Sequence, residues 1–190
     1  MNSITSALAL NATTMIRLDH AHVLATFQQY RASSRPQVKR GLVNTTCLVL
    51  EVHAQLNEEI FYPALREVTN NEAIKKADPE HAEMKRLIAL LRGMEPDDQR
   101  YDDTYMELMR DVLHHVADEE TVMLPEAERL LQDQLGELGG RMMKRRLQLV
   151  APRTADIALN MARALPIPSI AILAGATVAG LLLGRRMTRD

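Results

Sequence analysis

Tryptophan is absent from this chain, aromatic residues make up only 3%, and there is a single cysteine. One cysteine excludes an intrachain disulfide, and Cys47 lies among Leu48, Val49 and Leu50, a setting for a small buried apolar residue and not for redox chemistry. Without Trp, and with 11 Met and a mixture dominated by Leu, Ala, Glu and Arg, the composition favours helix over strand, because these side chains lose little rotamer freedom on a helix. The expected class is all-α. Excess positive charge is also missing: the net charge is -2 and the pI about 6.3, which gives no basic field for nucleic acid and excludes DNA or RNA as the expected partner. No Lys or Arg precedes Arg17, so the positive start of a secretory signal is lacking and the folded part is expected in the cytoplasm.

What is present centres on two matching stretches. His53-Ala-Gln-Leu-Asn-Glu-Glu-Ile-Phe-Tyr-Pro63 and His115-Val-Ala-Asp-Glu-Glu-Thr-Val-Met-Leu-Pro125 share the order His, paired Glu, apolar residues, Pro, with the proline ten residues after the histidine. Taken in order, the chain predicts four main helices. The first starts at Thr13 or Thr14 as cap and runs to about Arg31. The second opens at Pro36 and ends or kinks at Pro63. The third begins at Asp78-Pro79 and ends near Gly93, and the fourth follows Pro96-Asp97-Asp98. Each carries one histidine on its apolar stripe: His20 with Ile16, Val23 and Phe27; His53 with Val49 and Leu56; His81 with Met84 and Ile88; His115 with Val112 and Glu119. His22 and His114 are rotated off those faces. One inward histidine per helix, with carboxylates close behind on two of them, is how four-helix bundles build metal sites. Glu119 follows His115 by four residues on the buried side. In the second helix Asn57 holds that position, about 40° from His53, while Glu58 lies about 140° away and Glu59, like Glu120, is expected to face water.

Past Pro125 a Leu-rich, basic stretch is interrupted by Gly136, Gly139 and Gly140, and a short amphipathic segment runs from Thr154 to Leu165. Residues 135–163 are expected as a linker with an amphipathic helix. From Ser169 to Gly184 there is no charge, and counted from Ala164 the run reaches the ~20 apolar residues of a bilayer span. Residues 164–186 are therefore expected to anchor the chain in a membrane, with Gly180 and Gly184 spaced for close helix approach and a homo-oligomer.

Asp19-His20, His53 with Glu-Glu-x-Phe-Tyr-Pro, Glu80-His81 and His114-His115-x-x-x-Glu119-Glu120 with Leu-Pro together resemble the hemerythrin-like, or HHE cation-binding, domain over about residues 12–134. The resemblance implies an antiparallel four-helix bundle and assigns metal ligation to His20, His53, His81, His115 and Glu119 around a non-haem di-iron centre. Two positions depart from the pattern. The family's usual Glu four residues after the second helix's histidine is Asn57 here, which offers a neutral carbonyl oxygen; Glu58 can reach inward only where the helix is bulged or overwound. Where oxygen-carrying members place a second histidine one turn after the third helix's, this chain has Lys85. A mixed-ligand or single-metal site is thus left open. Iron is favoured over zinc because histidine with carboxylate and no thiolate suits an octahedral first-row metal. The expected function is a gas-binding protein for O2 or NO; an iron enzyme acting on NO or peroxide or donating iron, and a metal-poor membrane scaffold, are the alternatives.

Overall fold

The computed structural model describes residues 10–164, and among the described residues all regular structure is helical. Helix α1 (Ala12–Gln28) is capped by Asn11, whose side chain accepts from the Thr14 N–H at 2.8 Å. The cap therefore lies two residues before Thr13 and three before Thr14, the expected positions. Helix α2 (Pro36–Leu56) has proline in its first turn, where no backbone N–H is missed. It does not stop at Pro63: a single wide π turn (Asn57–Phe61) carries it into α3 (Tyr62–Arg66). The same device recurs where α5 (Tyr101–Asp118) passes through Glu119–Met123 into α6 (Leu124–Leu130). In both, the N–H one residue before the proline bonds the carbonyl five residues back, Tyr62 to Asn57 and Leu124 to Glu119. A proline ring crowds the carbonyl four residues before it in an α-helix, and an added residue opens that turn.

Helix α4 (Glu72–Gly93) starts six residues earlier than Asp78-Pro79, because Asn71 caps it by accepting from the Ala73 N–H and because Ala73, Ile74 and Ala77 bury one face. Pro79 sits inside this helix on its exposed side, where water can meet the carbonyl left unbonded.

Contacts fix the directions. His20 meets Glu119 and Tyr30 meets Asp102; Glu51 meets Arg92 and Glu58 meets Lys85; Glu80 meets His115 and Met94 meets Thr104. In each set one residue number rises as the other falls, so neighbouring helices α1, α2, α4 and α5 are antiparallel. Two apolar clusters fill the bundle. One, with Ile16, Leu56, Phe61, Leu65 and Met123, lies toward the proline-bearing ends; the other, with Val23, Leu42, Cys47, Leu87 and Tyr105, lies toward the opposite end. In α1, α4 and α5 the inward histidine falls between them, and in α2 His53 lies at the edge of the first. Cys47 is fully buried, and burial pushes its thiol up to about 12, in keeping with a packing role.

Residues 135–163, expected as a linker with an amphipathic helix, form two helices packed on the bundle. Helix α7 (Leu135–Val150) lies against α1 and the π turn after α2, and α8 (Thr154–Ala164) lies along α2, joined by a short 3-10 turn at Ala151–Arg153. Leu135, Leu138 and Met142 are buried. The glycines that read as interruptions include the residue that permits this docking: a Cβ at Gly139 would stand 2.3 Å from the Leu10 carbonyl oxygen. Among the described residues no helix is long and apolar enough to cross a membrane. The run through Gly180 and Gly184 lies outside the described residues.

Candidate metal centre

His20, His53, His81 and His115 converge in one layer, each 5% exposed or less, and Glu119 is fully buried among them. Glu119 Oε2 lies 2.8 Å from His20 Nε2, 3.3 Å from His53 Nε2 and 3.5 Å from His115 Nε2. Its Oε1 accepts from the Tyr62 hydroxyl and from Asn57 Nδ2, both at 2.8 Å. Burial disfavours the Glu119 charge, but His53, His20 and His115 outweigh it and hold the carboxyl well below its usual range. Two triplets place their donor atoms within reach of one ion: His53, His81 and His115, and His20, His53 and Glu119. His22 and His114 are exposed, as their helical phase predicts.

The outer ring nitrogens are held in a cycle. His20 Nδ1 pairs with Glu120 at 2.7 Å, His81 Nδ1 with Glu58 at 3.0 Å and His115 Nδ1 with Glu80 at 2.7 Å; Asp19 stands 3.6 Å from His53 Nδ1. α1 thus serves the histidine of α2, the turn after α2 that of α4, α4 that of α5, and the turn after α5 that of α1. Such outer carboxylates fix ring orientation and tautomer at metal sites. Asp19 is the exception in distance because Arg146 of α7 holds both its oxygens, at 2.7 and 2.6 Å, leaving His53 Nδ1 buried without a hydrogen-bond partner.

Glu58, expected as an inward ligand only through a bulge, does lie in a bulge, yet it points at the outer side of His81 and at Lys85 Nζ, 2.6 and 2.7 Å away. Asn57 is the residue on the inner side. Glu120, expected to face water, is half-buried on His20 and Arg17; Glu59 does face outward, bound by Arg145. Tyr62, part of the sequence motif but not one of the expected ligands, brings its hydroxyl to the centre, 3.2 Å from His115 Nε2. Burial pushes that phenol well above its usual value, helped by Glu119. The legible signal for the outer cycle was an acid next to a ligand position in each helix: Asp19, Glu58, Glu80 and Glu120.

The donor set fits a cation. A carboxylate only accepts, so Glu58 and Glu80 fix the proton of a neutral ring on Nδ1 and leave the Nε2 lone pairs bare and inward. His81 Nε2 and His115 Nε2 face each other at 3.0 Å. Burial, with His115 and His53 nearby, pushes His81 down to about 2, so a proton is poorly held there. Two facing lone pairs need a positive centre, and neighbouring ligands of an octahedral ion at ~2.1 Å are about 3 Å apart. Burial opposes protonation of His53 as well, but Glu119 and Asp19 prevail and raise it to about 9. The Asn57 carbonyl oxygen is buried without a partner, a neutral donor within a half-turn of the amide from the same place.

An antiparallel helical bundle enclosing four histidines and a buried glutamate defines a cation-binding helical protein. Residues 11–127 match the model of the Hemerythrin HHE cation binding domain, and the chain belongs to that family. The fold is similar to the crystal structure of a hemerythrin HHE cation binding domain-containing protein from Mycobacterium kansasii, with TM-score 0.65 and 20% identity over 82% of this chain and 99% of that one. A protein described as a DNA nickase from Nostoc is 28% identical over 114 residues, 60% of this chain; the chain spans 32% of that protein's length.

Proposed function

We propose that this chain is a non-haem iron protein, with a di-iron centre, that binds O2 or NO. The observation that carries the reading is a cavity of about 20 Å³ directly over the inward histidines, walled by Val23, Leu50, Met84, Ile88 and Val112. A cavity needs about 10–15 Å³ to take one water-sized molecule, so this one admits a diatomic and little else. Its apolar walls give a water molecule few partners, while a gas needs none. Iron held by His20, His53, His81, His115 and Glu119 would supply the electrons that a bound diatomic accepts. Around it the chain's own groups exclude bulk water and fix the rings from outside. Protein produced and purified anaerobically with iron is expected to retain close to two iron atoms per chain and to change its optical spectrum reversibly with O2 or NO. Metal-free protein, or a spectrum indifferent to both gases, would overturn the reading.

An enzymatic reading, reduction of NO or peroxide, is favoured by Tyr62, whose hydroxyl donates to Glu119 inside the centre and stands within reach of a bound molecule. Repeated turnover with an added reductant separates this from reversible binding.

The same proposal includes attachment to a membrane through residues 164–186, with the bundle on the cytoplasmic side and a homo-oligomer through Gly180 and Gly184. The uncharged run of the sequence supports it. Removing residues 165–190 is expected to move the protein from the membrane fraction to the soluble one; a full-length chain soluble without detergent would contradict the anchor.

A further inference from the structure

Arg40, Arg92, Arg153 and Arg163 line one cleft, of about 370 Å³, between α2, the last turn of α4 and α8. Close packing of α8 on α2 gathers them: a Cβ on Gly41 would stand 2.8 Å from the Asn160 carbonyl oxygen and 2.9 Å from the Arg163 Cβ. Across that contact Asn44 and Asn160, the neutral polar groups of the lining, bond to each other at 3.2 Å. The guanidiniums are open to solvent and only partly neutralised. Arg92 and Arg153 are 48% and 38% exposed in their side chains, and they share a single acceptor, Glu51 Oε2, each at 2.9 Å through one nitrogen. The other N–H groups of both forks are left for a ligand. Arg40 holds Glu95, whose side chain is exposed, and such a pair is weak in water. Asp156 is the one acid of the lining among the described residues, so four guanidiniums face one carboxylate; the excess is still positive by one when Glu51 and Glu95 are counted.

We infer that this cleft binds a phosphate monoester, the headgroup of an anionic phospholipid. The number and directions of the donors decide the chemistry. A carboxylate is planar, carries one charge and is filled by one guanidinium fork. A phosphate monoester carries up to two charges on three outer oxygens that point apart, and it takes donors from several sides at once, as α2, α4 and α8 supply them here. The course of the chain decides the source. Arg163 is the last charged residue before Arg185, so the cleft is lined by the residue that directly precedes the uncharged run. Arginines clustered beside a membrane-entering segment are drawn to anionic lipid, and Leu159, half exposed in the same lining, gives apolar surface to the glycerol end of such a molecule. The lipid source rests on the membrane attachment proposed above; the phosphate chemistry does not.

The test holds the full chain in micelles of an uncharged detergent and follows the arginine Nε–H resonances as phosphatidic acid, phosphatidylcholine, free glycerol phosphate or acetate is added. Phosphatidic acid is expected to shift Arg92, Arg153 and Arg163, while phosphatidylcholine, whose choline cancels the phosphate charge, leaves them in place. Arg163→Gln and Arg92→Gln should each weaken binding about fivefold, the scale of one arginine near an anionic lipid. Both variants leave Glu51 paired with Arg153. Arg110→Gln removes an exposed arginine that pairs with Glu107 and Asp111 on α5, and should leave binding unchanged. Equal weakening by Arg110→Gln would reduce the effect to diffuse surface charge and overturn the site, as would equal shifts with phosphatidylcholine or acetate, or no shift with any phosphate. Glycerol phosphate bound as tightly as phosphatidic acid would overturn the lipid source and assign the cleft to a soluble phosphate ester. Glycerol phosphate bound by a chain that is soluble without detergent would keep the cleft and remove the membrane attachment.

Discussion

Glu119→Ala is expected to empty the metal centre. Glu119 is the carboxylate of the ligand cluster, and its Oε2 faces histidines of both triplets: His20 and His53 at 2.8 and 3.3 Å, and His115 at 3.5 Å. Its carboxylate is the negative charge at the middle of four otherwise neutral donors, and in a dry core that charge is what compensates a divalent or trivalent ion. Loss of an outer hydrogen bond alone lowers metal affinity by roughly 10–100-fold, so loss of this inner charge should exceed ~100-fold. The measurement is iron content after dialysis against a chelator, with circular dichroism as the check on folding. Glu119→Gln keeps the shape and both Oε1 partners' positions while removing the charge, and should lose iron with less cost to the fold. Glu59→Ala is the control, because Glu59 is exposed and held only by Gln55 and Arg145. Iron retained equally in all three variants would show that Glu119 is not a ligand.

The four histidines could be read from the sequence because each lies on a regular stripe before any irregular turn. His53 and His115 precede the π turns of their helices and His20 and His81 lie in helices that have none, so a phase of about 100° per residue holds for all four and also sets His22 and His114 outside. Past Leu56 and Asp118 that phase fails. The added residue in each π turn shifts everything after it, which is why Pro63 signals an end or a kink in sequence while the helix in fact continues, and why a regular phase does not bring Tyr62 to the centre. The prolines carried the signal, since both wide turns lie immediately before the residue preceding a proline. Glu58 shows a different limit: it is turned away from His53 on its own helix and is for that very reason aimed at His81 on the next. A single-helix projection contains no neighbouring helix, so it shows an acid beside each ligand position but not which histidine that acid meets. The place of helix α7 is set by a related effect: Gly139 looks like a breaker in sequence, and only the Leu10 carbonyl against it explains why a side chain is absent.

Asn57→Glu is expected to change stability in opposite directions in the metal-free and iron-loaded protein. In the His frame Asn57 corresponds to Glu119, and it is fully buried with Nδ2 3.0 Å from His53 Nε2 and 2.8 Å from Glu119 Oε1. As an amide it does two things for the metal-free protein: it donates to the buried carboxylate, and it packs against His53 Nε2 without adding a charge. A glutamate there would bring a second buried carboxylate against the first with the donor gone, and an uncompensated buried charge costs about 3–5 kcal/mol. For a domain of this size about 1 kcal/mol corresponds to ~2–4 °C, so the metal-free Tm should fall by roughly 10 °C. With iron bound the same carboxylate becomes an anionic ligand, offsets the charge of the oxidised metal and releases His53 Nε2 to coordinate. The iron-loaded Tm should then equal or exceed that of the parent, iron should resist chelation more strongly, and the reduction potential should drop because the oxidised state gains most from added negative charge. Asn57→Leu separates charge from shape, and should weaken iron retention without the metal-dependent change of sign. Thermal unfolding of both variants with and without iron decides the matter: an equal loss of Tm in the two forms of Asn57→Glu would place residue 57 outside the reach of the metal.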